Sequence, residues 1–246
     1  MGEHMLAFGR TPGGHAPSGA GWWSWLSGQP VPDLNMAGIF GGPTAPAALA
    51  EATAAVTAAG VPALLVLEDA DALAADIEAA GYSVVGAMPL MVCPASAVPD
   101  PADATDVAPM AEEAEMDEAA ALMADAFSLP LASIRAIIDD RWLDPASSTK
   151  VWLARRSGVA VGAGMSVEAG SNVGIYTMST PAANERTGVG RSVLAAIHRH
   201  ARDIGADDLL LGATEAGFPL YQRVGYETVA DVAIAVAGAS TQFPGH

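Results

Sequence analysis

A chain of 246 residues can form one large domain or two modest ones, and 51% apolar against 16% charged residues exclude wholesale disorder. Eleven basic against 28 acidic residues leave a formal charge of −17, which repels nucleic-acid phosphates and anionic lipid heads, so neither is an expected partner. The single cysteine, Cys93, excludes an internal disulfide, and no apolar run reaches the ~18 residues of a membrane span. The five histidines lack ligand spacing with nearby carboxylates, so no metal is expected. His198 and His200 lie two apart on a predicted helix and point in different directions. Met1 to Ser18 has no basic region followed by an apolar stretch, so it does not read as a signal peptide, and a soluble cytoplasmic protein is the expectation.

In chain order, residues 1–21 are punctuated by Gly, Pro and Ser and read as a flexible arm. Trp22, Trp23 and Trp25 read as packing residues, with the wall of an acceptor pocket as the sharper alternative, and Pro30 and Pro32 forbid a helix after them. Asn35 to Phe40 reads as a short strand, with Asn35 as a turn cap or a group facing an acceptor. Pro46 to Ala59 predicts a helix closed by Gly60 and Pro62, and Ala63 to Leu67 a buried strand. Asp69 to Ala80 predicts a second helix stopped by Gly81, with Tyr82 to Val92 a strand. Pro94, Pro99, Pro101 and Pro109 mark a linker, which divides the chain into lobes 22–98 and 109–246 joined by 99–108. Beyond it, Glu112 to Phe127 and Leu131 to Asp140 predict helices, and Arg156-Ser157-Gly158 a hairpin turn between strands Val151 to Arg155 and Val159 to Val167. Strand Val173 to Thr180, helix Gly190 to Ile204, strand Leu209 to Ala213, helix Pro219 to Arg223 and strand Tyr226 to Val236 complete an α/β order.

A strand–helix–Gly-Tyr–strand unit occurs twice. Leu64 to Val92 parallels Asp208 to Val236 at an offset of 144, which aligns Gly81 with Gly225, Tyr82 with Tyr226 and Ile77 with Tyr221. Chance similarity of two β–α–β units is the plainer explanation. In a true repeat, one half carries chemistry and the other only packs, because the glycine-rich turn at Gly188 has no upstream counterpart.

That turn carries the signal. A strand ends near Thr180, and Thr187-Gly188-Val189-Gly190 then opens a helix, so backbone N–H groups and the helix dipole converge where a phosphate or diphosphate could sit. Glycine permits this close approach. Arg186 and Arg191 add two of the eleven basic side chains. A dinucleotide fingerprint would require a third glycine where Val193 stands. A plain strand–helix turn rich in glycine fits the same residues.

Downstream comes Leu220-Tyr221-Gln222-Arg223-Val224-Gly225-Tyr226. Together the two segments resemble the GNAT acetyltransferase superfamily, whose Arg/Gln-x-x-Gly-x-Gly/Ala turn is followed by Leu-Tyr-x-x-x-Gly-Phe/Tyr. The second element matches in full; in the first, Glu185 stands where Arg or Gln is usual, with Arg186 adjacent. The resemblance covers about residues 108 to 236 and reads residues 35–93 as a degenerate second copy, as in tandem members. It implies a GNAT-like mixed, twisted sheet flanked by helices, with acetyl-CoA as co-substrate. It further implies that the backbone of Met178 and Thr180 pairs with the pantetheine arm and that Arg186, Thr187, Gly188, Val189, Gly190, Arg191 and Ser192 hold the diphosphate. Tyr221 would protonate the departing thiolate; a core aromatic is its plainer reading. The strand carboxylate that many members use as general base is missing between Tyr176 and Thr180, leaving Glu168, Glu215 or, equally, a water chain for that task, though a solvated surface carboxylate is the leading reading of either glutamate. The expected partner is a small-molecule amine, with a homodimer as an option. An acyl-CoA sensor without catalysis and a purely structural two-lobed protein are the rival readings. The acidic charge hints at a cationic acceptor.

Overall fold

The computed structural model describes residues 15–99 and 105–238; residues 1–14 of the expected arm and 100–104 of the expected linker lie outside the described residues. The strands in chain order are β1 (Ser18–Gly19), β2 (Trp22–Leu26), β3 (Asn35–Ile39), β4 (Leu64–Leu67), β5 (Tyr82–Pro94), β6 (Asp106–Pro109), β7 (Thr149–Arg156), β8 (Val159–Ala169), β9 (Asn172–Ser179), β10 (Asp208–Gly212) and β11 (Glu227–Ala237). The helices are α1 (Ala45–Ala59), α2 (Ala74–Ala79), α3 (Glu113–Phe127), α4 (Leu131–Ile137), α5 (Val189–Asp203) and α6 (Phe218–Val224). The described chain divides into two compact units. One runs to Leu90 and takes in Thr214–Ala216 and the chain from Thr228 on; the other comprises Met91–Ala213 and Gly217–Glu227. Of the Pro-rich segment expected as the border, the described residues 99 and 105–108 fall inside the second unit by this division.

In the first unit the strands run β1-β2-β3-β4-β11. β1, β2 and β3 are antiparallel, β3 and β4 parallel, and β4 and β11 antiparallel. The second part of the expected flexible arm is therefore ordered: Ser18 pairs with Trp23, and His15 bridges to Leu26. Trp22, Trp23 and Trp25 are buried, in keeping with packing residues. α1 carries Pro46 in its first turn, is capped by Gly60 and buries Ala45, Ala48, Leu49, Ala52 and Val56, the spacing of one helical face. α2 is shorter than Asp69 to Ala80 because the chain turns first: Asp69 Oδ1 accepts from the Ala72 amide at 3.2 Å. Asn35 is a turn cap. It is fully buried, accepts from the Ser27 amide and donates to the carbonyls of Gln29, Val31 and Pro62, all between 2.8 and 2.9 Å.

The second unit holds the antiparallel run β6-β7-β8-β9, with β10 parallel to β9. β6 corrects the linker reading, since Val107 and Pro109 pair with Ala154 and Trp152. The hairpin between β7 and β8 turns at Ser157 and Gly158, both at positive φ, as a tight two-residue turn requires. α5 covers the sheet with Val189, Val193, Leu194 and Ile197, which share a core with Trp152, Ile175, Leu209, Leu211, Tyr221 and Tyr226. Met91 and Cys93, from the end of β5, belong to this core, whereas Tyr82 at its start and Ala235 on β11 belong to that of the first unit. Among the described residues no helix is long and apolar enough to cross a membrane.

Candidate active site in the second unit

Two features of β9 shape the site. Its pairing with β10 ends at Gly174 and Leu210, although β9 runs on to Ser179 and β10 to Gly212. Its pairing with β8 slips between Ala163 and Met165, where the partner changes from Ser179 to Tyr176. The extra residue makes a bulge, and within it Thr177 takes φ +48°, a conformation β-branched residues avoid. The Thr177 carbonyl accepts from Ser179 Oγ at 2.8 Å, while the Thr177 Oγ1 is buried without a hydrogen-bond partner. Met178 packs the other way: a Cβ on Gly164 would meet its sulfur at 2.6 Å and Val193 at 2.8 Å.

β9 leads through a single 3₁₀ turn (Ala182–Asn184) into the glycine turn. Gly188 sits at the helix N-cap with φ +91°, and no side chain caps the helix start, so the first amides of α5 point outward without an intrahelical acceptor. Arg186 is also left-handed, at φ +55°. Arg186, Thr187 and Arg191 are exposed and Ser192 buried, its amide donating to the Gly188 carbonyl at 3.0 Å. The brace of this turn was not foreseen. Arg156, at the end of β7, donates to Thr187 Oγ1 at 2.9 Å, to the Thr187 carbonyl at 2.7 Å and to Thr105 Oγ1 at 3.0 Å. In a chain so poor in basic residues its position beside the hairpin turn was the available signal.

α6 closes on the same turn. A Cβ on Gly190 would stand 3.1 Å from Leu220 Cδ2 and 3.9 Å from Thr180 Oγ1, so a side chain here would press on Leu220. The next residue, Tyr221, is 6% exposed, and burial pushes its phenol up to about 12, so it stays protonated. Its ring leans on Tyr226 with centroids 5.8 Å apart, and Tyr226 Oη lies 2.8 Å from His198 Nε2, edge-on to that imidazole. His198 is fully buried, which lowers its pKa from 6.5 to about 4 and keeps it neutral. The unfolded chain therefore binds a proton between these values that the folded chain does not. Stability is full above about pH 6.5 and falls by about 3 kcal/mol as pH drops through 4. His198→Gln flattens this part of a stability–pH profile measured by urea melts; an unchanged slope would mean other groups set it.

Glu168, nominated from the sequence as a base, lies apart from the turn. Glu168 pairs with Val173 near the start of β9, six residues or ~20 Å of extended strand before Ser179. Its carboxylate is engaged by His200 Nε2 at 2.8 Å, and the Trp152 ring lies tilted against that imidazole with centroids 5.4 Å apart. Glu215 is exposed and belongs to the first unit, not to the unit that holds the turn and Tyr221. Met178 and Thr180 occupy β9 and its exit, beside the bulge.

Residues 116–241, just over half of the chain, match the family described as an acetyltransferase (GNAT) domain. The chain belongs to the GNAT acetyltransferases. No curated protein matches it. Among solved structures, a GCN5-related N-acetyltransferase from Kribbella flavida is 20% identical, with 97% of this chain and 94% of that one covered at a TM-score of 0.72. A functionally unknown conserved protein from Staphylococcus epidermidis ATCC 12228 is 15% identical, with 92% and 94% covered at 0.68. A GCN5-related N-acetyltransferase from Sphaerobacter thermophilus is 13% identical, with 88% and 76% covered at 0.63. At such identities the likeness is one of fold, the α/β architecture with a mixed sheet flanked by helices.

The donor used by GNAT acetyltransferases, acetyl-CoA, combines a diphosphate with a pantetheine arm of two amides. The residues present fit it. The uncapped amides at Gly188 to Arg191 suit the diphosphate, and the stretch of β9 beyond its last pair with β10 suits an arm that hydrogen-bonds like a strand.

Proposed function

We propose that this GNAT protein is an acetyl-CoA-dependent N-acetyltransferase acting on a primary amine of a small molecule. The observation that carries the reading is Tyr221: a buried, protonated phenol on a helix that closes on the anion-binding turn at Gly190. Acetyl-CoA supplies the acyl thioester. Backbone amides of Gly188 to Arg191 hold its diphosphate, with the flanking Arg186 and Arg191 adding positive charge, and Arg156 fixes the Thr187 carbonyl so that the turn keeps its shape. Met178 and Thr180 lie on the strand that would carry the arm. Tyr221 donates its proton to the sulfur as the carbon–sulfur bond breaks. The amine nitrogen forms the new bond to the acyl carbon and gives up one proton to water. Water takes this part, with Glu168 held by His200 and Glu215 exposed to solvent.

Calorimetric titration of acetyl-CoA into the wild type and Gly188→Val tests the reading. Valine cannot hold φ +91° without strain, and its Cβ stands between the amides and the anion, so binding weakens at least tenfold in a folded variant. Absence of binding to the wild type would sink the enzyme reading. Binding without turnover of any amine in a broad panel would make the protein an acyl-CoA sensor.

A further inference from the structure

We propose that the buried hydrogen bond between His198 and Tyr226 positions the Tyr221 hydroxyl for its proton transfer, an inference that rests on the reading of Tyr221 above. His198 is fully buried and Tyr226 is 3% exposed, so both act through Tyr221 rather than on a ligand. The contacts run unbroken within the second unit. Nε2 of His198, on α5, lies 2.8 Å from Tyr226 Oη, and the two rings meet edge-on with centroids 5.5 Å apart. Tyr226 in turn holds Tyr221 twice. Its amide donates to the Tyr221 carbonyl at 3.0 Å, and its ring leans on the Tyr221 ring with centroids 5.8 Å apart. Gly225, left-handed at φ +107°, ends α6 and turns the chain so that the first of these bonds forms.

Packing alone does not account for this pair. In either tautomer His198 leaves its Nδ1 buried without a hydrogen-bond partner. A leucine against a phenylalanine would fill the core with no polar group unserved, and exchanging both partners of a buried hydrogen bond for apolar groups is nearly neutral or stabilising. What the polar pair adds is direction: it holds the tip of the Tyr226 ring at one place, where an apolar contact lets it shift. Tyr221 needs that direction. It is the buried residue of α6, a helix of seven residues. Its proton leaves Oη for the sulfur, which bonds it with the electron pair of the broken carbon–sulfur bond, while the Oη–H pair stays on the phenolate. A displacement of ~1 Å at such a donor can cost about 100-fold in rate. α5 supplies the reference, because its first turn follows Gly188 and His198 lies ten residues on, ~15 Å along the same axis. One helix then sets the diphosphate by its first amides and the proton donor through His198 and Tyr226.

The test uses Tyr226→Phe, His198→Leu, the two together, and His198→Gln, with an amine that the wild type acetylates. Each single apolar change strands a polar partner in the core and lowers Tm. The double variant strands none, and its Tm returns to the wild-type value or above. kcat does not follow Tm: it falls about 10-fold or more in the double variant as in both singles, while the Kd for acetyl-CoA, set at the turn, changes by less than about 2-fold. His198→Gln, whose amide can give or accept a hydrogen bond where Nε2 stood, restores most of the wild-type kcat. Tyrosine labelled with carbon-13 at Cζ gives a reading without ligand. The Tyr221 signal, the one lost in Tyr221→Phe, moves in His198→Leu and returns in His198→Gln. A kcat that recovers with Tm in the double variant overturns the assignment and leaves the pair as packing. So does a His198→Gln enzyme as slow as His198→Leu, or a Tyr221 signal unmoved in His198→Leu. Wild-type kcat in Tyr221→Phe, or a wild type that turns over no amine, overturns the reading of Tyr221 itself, and this inference with it.

Discussion

Tyr221→Phe lowers kcat by about 100-fold or more while the Kd for acetyl-CoA stays near that of the wild type. The ring is buried against Tyr226 in the second unit's core, and phenylalanine preserves that packing, so the variant folds. What it removes is one O–H. A phenol held near 12 is a weak acid beside an ordinary thiol of ~8.5, and in water the proton would not move toward sulfur. The burial that raises the phenol would raise a thiol held beside it also, because either anion would lose hydration there. On the proposed reading the leaving sulfur would meet a donor matched to it by environment. A donor that stays protonated up to about 12 also gives no alkaline limb to the kcat profile below pH 11, which a stopped assay across pH 7 to 11 would reveal. A variant with wild-type kcat would return Tyr221 to the role of a core aromatic.

The motif around Tyr221 was legible because local chemistry and spacing coincide there: Pro219 in the first turn of α6, Gly225 at its αL end, and the apolar stripe between them are all short-range signals. The hairpin at Ser157-Gly158 and the stop at Gly60 were legible for the same reason. The bulge was not. Nothing in Tyr176-Thr177-Met178 favours a left-handed residue, and only the register between β8 and β9 forces one. Arg156 escaped notice because its partner Thr187 lies 31 residues away, beyond the reach of any local pattern. β6 was hidden among Pro and Asp, residues that read as linker until Trp152 and Ala154 pair with it. The two carboxylates nominated as bases followed strand ends in sequence, and strand ends are not equivalent: Glu168 stands at the end of β8 that meets the start of β9, while the turn follows its finish.

Residues 109–246, the expected second lobe, do not fold when expressed alone. The core around Tyr221 and Tyr226 takes Met91 and Cys93 from β5, and the Ala95 amide donates to the Asp207 carbonyl at 2.9 Å. A chain starting at residue 109 has none of these and also lacks the start of β6. Losing a buried methionine alone costs about 2–5 kcal/mol, a large part of the 5–15 kcal/mol that a domain possesses. At the other end, Ala235 and Val236 are buried beside Leu65 and Leu64 of β4, which this fragment also lacks. Met91 and Cys93, from the strand following Gly81-Tyr82, thus belong to the core around Tyr221, and Ala235, from the strand following Gly225-Tyr226, to the core around Leu65. Fragments 1–98 and 109–246 made separately thus give insoluble or non-cooperatively melting chains. Made together they recover a soluble complex, because β5 and β11 can each reach their partners. A cooperative melt of 109–246 alone at the full-length Tm would show that the β5 residues are dispensable to that core.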